Sequence, residues 1–222
     1  MITSKDNERL KLVRKLHDKR WRDKLGLFFV EGEDAVAAAT AAPVDLLWAG
    51  EDVDAKLLAD VASTPHPPRV VGVYRRADLP AWEERDATLA LWHVSDPGNV
   101  GTLIRTAEAF GAAVALSDGC ADPTSPKALR ASAGSIWRVP VGSYERKTVA
   151  EAKRVALVAH GGEPLSSVDL SGRVVFLLGA EREGLPAAVE RDVDAWIPTT
   201  GVESLNVAIS GALALYERLR QT

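Results

Sequence analysis

The chain has 222 residues, 46% hydrophobic and 26% charged, the composition of an ordinary globular protein with room for one large domain or two small ones. No apolar run approaches the ~20 residues of a membrane-spanning helix, and the opening Met1-Ile2-Thr3-Ser4-Lys5-Asp6 has no signal-peptide core, so a cytoplasmic protein without a membrane partner is expected. Cys120 is the single cysteine, which excludes an intrachain disulfide, and His17, His66, His93 and His160 lack metal-ligand spacing, so no metal is expected.

The net charge of −4 hides an asymmetry: residues 5–24 carry nine Lys/Arg against four Asp/Glu, leaving the remainder at −9. Leu10, Val13 and Leu16 recur there at helical spacing, which predicts one basic amphipathic helix over 5–24. It reads either as a solvated face or as a polyanion contact. A strand at 27–30, a helix at 35–42, a strand at 44–48, a helix near 55–62 and a strand at 70–74 follow. They predict a small α/β domain over residues 1–78. The charged, proline-containing stretch 79–87 reads as a linker, and 88–222 as a second domain. In that second part strands are expected at 88–94, 113–116, 137–141, 155–160, 174–178 and 195–197. Helices are expected at 100–110, 127–133, 149–152, 186–191 and 205–220. The alternation predicts an α/β fold, a parallel sheet with helices on both faces.

Such sheets bind ligands at the carboxyl ends of their strands, and three loops there have compositions that packing alone does not require. In Ser95-Asp96-Pro97-Gly98-Asn99-Val100-Gly101, Asn99 is either a helix cap or a functional amide, and Arg105 follows six residues later. Leu178-Gly179-Ala180-Glu181-Arg182-Glu183-Gly184-Leu185 sets two glycines five apart around charged residues. In Ile197-Pro198-Thr199-Thr200-Gly201-Val202-Glu203-Ser204-Leu205-Asn206, Ser204 is placed to cap the last helix and Asn206 to lie inside its first turn, where asparagine is a poor helix former. No GxGxxG and no GxxxxGK[ST] is present, which disfavours a Rossmann-type site.

Together, Asn99-x-Gly101-x-x-x-Arg105-x-Ala107-x-x-Phe110-Gly111, Gly179-x-Glu181-x-x-Gly184-Leu185 and Ile197-Pro198…Glu203-Ser204-Leu205-Asn206-Val207 resemble the three motifs of the SpoU (TrmH-like) RNA methyltransferases. The stretch from Asp122-Pro123 to Lys127-Ala128-Leu129-Arg130-Ala131-Ser132-Ala133-Gly134, and Ser4, Asn7, Arg22 and Phe29-Val30-Glu31-Gly32, resemble the ribosomal-RNA branch with its N-terminal substrate-binding domain. From Ile197 to Leu205 the chain is one residue shorter than that pattern.

The resemblance implies a C-terminal trefoil-knotted α/β domain, S-adenosylmethionine as cofactor, and a homodimer with the last helix and the first motif near the interface. It implies methyl transfer to a ribose 2′-hydroxyl of RNA, with 23S ribosomal RNA as the expected substrate. Transfer RNA as the substrate, and a non-catalytic RNA-binding or assembly role, are the alternatives. Cofactor contacts, largely from backbone, are implied for Gly179, Ala180, Glu181, Gly184, Ile197, Thr199, Leu205 and Asn206. Catalytic or orienting roles are implied for Arg105, Asn99, Glu181, Ser204 and Asn206. A guanidinium stays protonated, so we read Arg105 as a cation that binds phosphate and stabilises the forming alkoxide rather than as a base. RNA contacts are expected from Lys5, Arg9, Lys15, Arg20 and Arg22, and from Lys127 and Arg130 beside Arg138.

Overall fold

Two sheets organise the chain in its computed structural model, which describes residues 1–64, 66–144, 151–180 and 182–222. The first is antiparallel, with β3 (Val70–Arg75) between β1 (Leu27–Glu31) and β2 (Asp45–Trp48). The second has seven strands in the order β6-β5-β4-β9-β7-β10-β8, all parallel. They are β4 (Ala87–Leu91), β5 (Ala113–Leu116), β6 (Val141–Ser143), β7 (Lys153–Leu157), β8 (Glu163–Pro164), β9 (Val174–Leu178) and β10 (Val193–Trp196). Runs such as Val174-Val175-Phe176-Leu177-Leu178 are buried on both faces, as central parallel strands require.

The basic segment is two helices rather than the one expected. α1 (Glu8–Leu16) buries Leu10, Val13 and Leu16. The chain then breaks at His17 and restarts as α2 (Lys19–Leu25), because the Asp18 carboxylate accepts the Arg20 amide at 2.9 Å and caps a new N-terminus. α3 (Glu33–Ala37) and α4 (Ala55–Ala59) complete the N-terminal elements. The two faces of the small sheet serve different cores. Phe29, Val71 and Val73 pack with α1, while Phe28, Val30 and Tyr74 join the core beneath the large sheet. There the Tyr74 and Trp137 ring centres lie 4.9 Å apart, edge to face, and Phe28 and Trp137 5.5 Å apart.

α5 (Pro97–Ala109) and α7 (Val207–Gln221) cover one face of the large sheet through Leu103, Ile104, Ala214 and Leu215 on Leu89, Leu91, Phe176 and Leu178. α6 (Pro126–Ser132) lies against α5 so closely that a Cβ on Gly101 would stand 2.2 Å from the Ala128 carbonyl oxygen. On the other face Ala90, Ala115, Ala156 and Leu177 are covered by Trp82, Trp92, Tyr144, Leu185 and Val189. Among the described residues that cover is loop, not the helical layer expected.

Other expectations also need correction. The helix expected at 186–191 is a succession of turns, since so short a segment offers few hydrogen bonds against the cost of nucleation. The strand expected at 137–141 begins as a 3-10 turn over Ser135–Trp137, after Ala133 and Gly134 take left-handed conformations. Residues 149 and 150 of the helix expected at 149–152 lie outside the described residues, and Glu151 has φ +63°, which is not helical.

Candidate active site

The last residues of the central strands are in register: Leu91 pairs with Leu116 and Leu178, and Leu178 with Leu157. The loops that follow therefore leave one edge of the sheet together. Between the ends of β9, β7 and β10 they enclose a cavity of about 550 Å³.

Each wall has a local cause. After β9, Gly179 runs so close to the returning loop that a Cβ would lie 2.2 Å from the Gly184 carbonyl carbon, so only glycine fits. Gly184 has φ +65° and donates its amide to the Ala180 carbonyl at 2.9 Å, closing a small hairpin. Ile197 and Thr199 follow β10, and the Thr199 hydroxyl donates to the Val202 carbonyl at 2.7 Å. Ser204, Leu205 and Asn206 form the third wall at the start of α7. Leu157, Leu178, Ile197 and Leu205 supply apolar surface, and Glu203, Ser204, Asn206 and Ser210 supply polar groups.

Asn206, not Ser204, caps α7. Its Oδ1 accepts the amides of Ala208 at 2.8 Å and Ile209 at 3.4 Å, which also explains a poor helix former at this position. Its Nδ2 donates to Asn99 Oδ1 at 3.1 Å. Asn99 is not a cap either: Asp96 caps α5, accepting the amides of Gly98 at 2.6 Å and Asn99 at 3.1 Å. The Lys127 ammonium, 2.7 Å from Asp96 Oδ2, holds that carboxyl below its usual range against partial burial, and the same two amides assist. Asn99 thus has its side chain turned to the third loop.

The cavity therefore gathers Gly179, Ala180, Gly184, Ile197, Thr199, Ser204, Leu205 and Asn206 from the expected set. Glu181 lies outside the described residues. Arg105 is exposed on the outward face of α5 with Thr102 and Ala109, and it does not line the cavity. Sequence reasoning missed the wall formed by Val158, Ala159 and His160, because it extended β7 to residue 160, whereas the strand stops at Leu157 and releases those residues into the loop. The signal was present: the carboxyl end of a parallel strand.

The expected RNA contacts divide sharply. Arg22 is 3% exposed, so its assignment to RNA is wrong: its Nε donates to Asp122 at 2.8 Å and its Nη1 to the carbonyls of Leu16 and His17. Burial raises the pKa of Asp122, but the hydroxyl and amide of Thr124 and the guanidinium groups of Arg76 and Arg22 outweigh it and leave the carboxyl below its usual range. Arg9 is engaged by Asp45 at 2.9 and 3.1 Å and by the Leu46 carbonyl, and Arg130 by Glu31 and Ser63. Arg138 pairs with Glu108. Lys5, Lys15 and Arg20 remain exposed, and so does Lys127 despite Asp96. Among the described residues no group of three or more His, Cys, Asp or Glu side chains is arranged to hold a metal.

The signature of the SpoU rRNA Methylase family matches residues 86–216. Over 97% of both chains the protein is 33% identical to the Bacillus subtilis 23S rRNA (guanosine(2553)-2′-O)-methyltransferase RlmP. An AdoMet-bound rRNA methyltransferase from Sinorhizobium meliloti superposes with a TM-score of 0.85 at 30% identity, covering 99% of this chain and 97% of the other. The SpoU methyltransferase AviRb from Streptomyces viridochromogenes, in complex with AdoMet, gives 0.85 at 25% identity over 97% and 98%. The chain belongs to the SpoU rRNA Methylase family.

Proposed function

We propose that this chain transfers the methyl group of S-adenosylmethionine to a ribose 2′-hydroxyl of 23S ribosomal RNA, in the cytoplasm. The observation that carries the reading is the cavity of about 550 Å³ at the carboxyl ends of β9, β7 and β10, with the Asn206–Asn99 contact at its rim. Its volume lies within the ~300–1,000 Å³ range of small-molecule sites. Its surface also fits the cofactor, with apolar side chains and loop backbone for a flat base and acceptor oxygens of Glu203 and Ser204 for ammonium, hydroxyl and sulfonium groups.

When bound, S-adenosylmethionine supplies an electrophilic methyl group on a positively charged sulfur. Backbone at Gly179, Ala180, Gly184, Ile197, Thr199 and Leu205 would hold it, and Glu181, outside the described residues, is assigned to the same role by the family resemblance alone. Asn99, Ser204 and Asn206 orient the ribose or the rim. Arg105 stays protonated, binds phosphate and stabilises negative charge growing on the hydroxyl oxygen.

Arg105 is exposed and does not line its own cavity, and α7 beside it exposes Ile209, Leu213, Tyr216 and Leu219, spaced to form one apolar stripe. Both features favour a homodimer through α5 and α7, in which Arg105 works near the interface. The knotted path of the C-terminal segment belongs to the same reading. It is supported by β9 and β10 entering between strands formed earlier in the chain. Residues 1–78 serve as the RNA-binding domain, 79–87 as the link and 88–222 as the methyltransferase domain.

Calorimetric titration with S-adenosylmethionine, followed by transfer assays on purified 23S rRNA and transfer RNA, tests the reading. Cofactor binding with transfer to 23S rRNA is expected. Transfer to transfer RNA alone would change the substrate, and absence of cofactor binding would leave a non-catalytic RNA-binding role.

A further inference from the structure

Trp21 stands half-buried on α2 in the most basic part of the chain, and two ammonium groups approach its ring. Lys24 Nζ, one helical turn on, lies 5.0 Å from the ring centre, and Lys15 Nζ, from α1, lies 5.2 Å away. Both lysines are exposed, and among the described residues neither forms an ion pair, whereas neighbouring Lys19 is held by Asp23 at 2.9 Å. Exposed cation–π contacts are weak, and two like charges at one ring repel each other. The arrangement therefore combines an aromatic surface under readily displaced covers with two cations that, among the described residues, no carboxylate holds in an ion pair.

We propose that Trp21, Lys15 and Lys24 form a stacking site for an unpaired nucleobase of the RNA, the two lysines moving off the ring to meet the flanking phosphates; this rests on the RNA reading above. Every base has a π-face, and an indole between cations is the combination that single strands seek. A base within a duplex stays stacked on its neighbours and cannot occupy the ring.

The position suits the reaction. Arg22, the next residue, is buried against Asp122 at 2.8 Å and tied to the carbonyls of Leu16 and His17, which fixes α2 and the α1–α2 turn. Asp122 lies in the loop leaving the carboxyl end of β5, the same sheet edge that carries the cavity. β5 and β9 are two strands apart, about 10 Å at the usual strand spacing. The Arg22–Asp122 contact thus anchors the helix that carries Trp21 to the sheet edge at which the cavity opens.

The test uses the full chain, a single-stranded 12-mer oligouridylate and a 12-base-pair RNA duplex. Trp21→Ala and Trp21→Leu are expected to weaken single-strand binding roughly 5- to 150-fold, the range for one base on an aromatic ring, with duplex binding changed less than about two-fold. Trp21→Tyr should keep most of the affinity. Lys15→Gln with Lys24→Gln should lower the salt dependence of single-strand binding by roughly 0.7 per lysine. Far-UV circular dichroism and urea unfolding report folding of each variant, and if Trp21→Ala does not fold, the comparison of Leu with Tyr decides. Unchanged single-strand binding in the Leu variant, equal loss on both RNAs, or no advantage of Tyr over Leu would overturn the proposal. Methyl transfer by the unaltered protein is scored separately, so failure of the enzymatic reading is not confused with failure of this one.

Discussion

The side-chain amide of Asn206 donates to the side-chain oxygen of Asn99 across 3.1 Å, joining the first turn of α7 to the first turn of α5 at the rim of the cavity. One asparagine does two things: its oxygen caps α7 and its nitrogen orients Asn99.

Asn206→Asp separates those roles, because an aspartate keeps the capping oxygen and loses the donor. We expect stability within about 0.5 kcal/mol of the parent, as Asn and Asp cap about equally well, and methyl transfer reduced ~10²-fold as for loss of one positioned donor. Asn206→Ala should in addition lose ~1 kcal/mol for the cap. Urea unfolding and single-turnover transfer measure the two effects.

Arg105 is expected to act on the transition state rather than on the cofactor. Arg105→Ala should lower transfer ~10²–10³-fold while leaving S-adenosylmethionine binding unchanged, because the side chain does not line the cavity. Near-full transfer in this variant would contradict the assignment.

Gly179→Ala brings a methyl group to 2.2 Å from the Gly184 carbonyl carbon, and backbone cannot yield as a flexible side chain would. The 179–184 hairpin must open, so cofactor affinity should fall at least ~10-fold while the core strands persist, an overpacking strain of about 1–3 kcal/mol. Calorimetry with S-adenosylmethionine and circular dichroism check the two halves.

Asp122 holds Arg22 and Arg76. Its folded pKa is depressed, so its contribution is fully present above the unfolded carboxylate value of about 3.9 and is lost as pH falls below that toward the folded value. Asp122→Asn should destabilise the protein at pH 7 by about 3–5 kcal/mol, because Arg22 is left buried without its counter-charge, and should flatten the acid limb of the stability profile. Urea titrations between pH 3 and pH 7 would show both.

The sheet was legible because runs such as Val174–Leu178 and Ala113–Leu116 announce strands buried on both faces. The three loops were legible because glycines and polar residues stood where strands end. What local sequence concealed was long-range. Arg22 looks like a member of a basic stripe until Asp122, one hundred residues later, is folded against it. The exchange of Ser204 for Asn206 as cap depends on where α7 starts, which packing against α5 sets and helix propensity alone does not. The single basic helix failed at Asp18, whose capping oxygen competes with continuation of the helix.

The measurement that tests the central claim most directly is a map of ribose methylation across cellular RNA with and without this gene. One 23S rRNA nucleotide that loses its 2′-O-methyl group when the gene is removed, and regains it with the parent but not with Arg105→Ala, is the predicted result. An unchanged methylation map would contradict it.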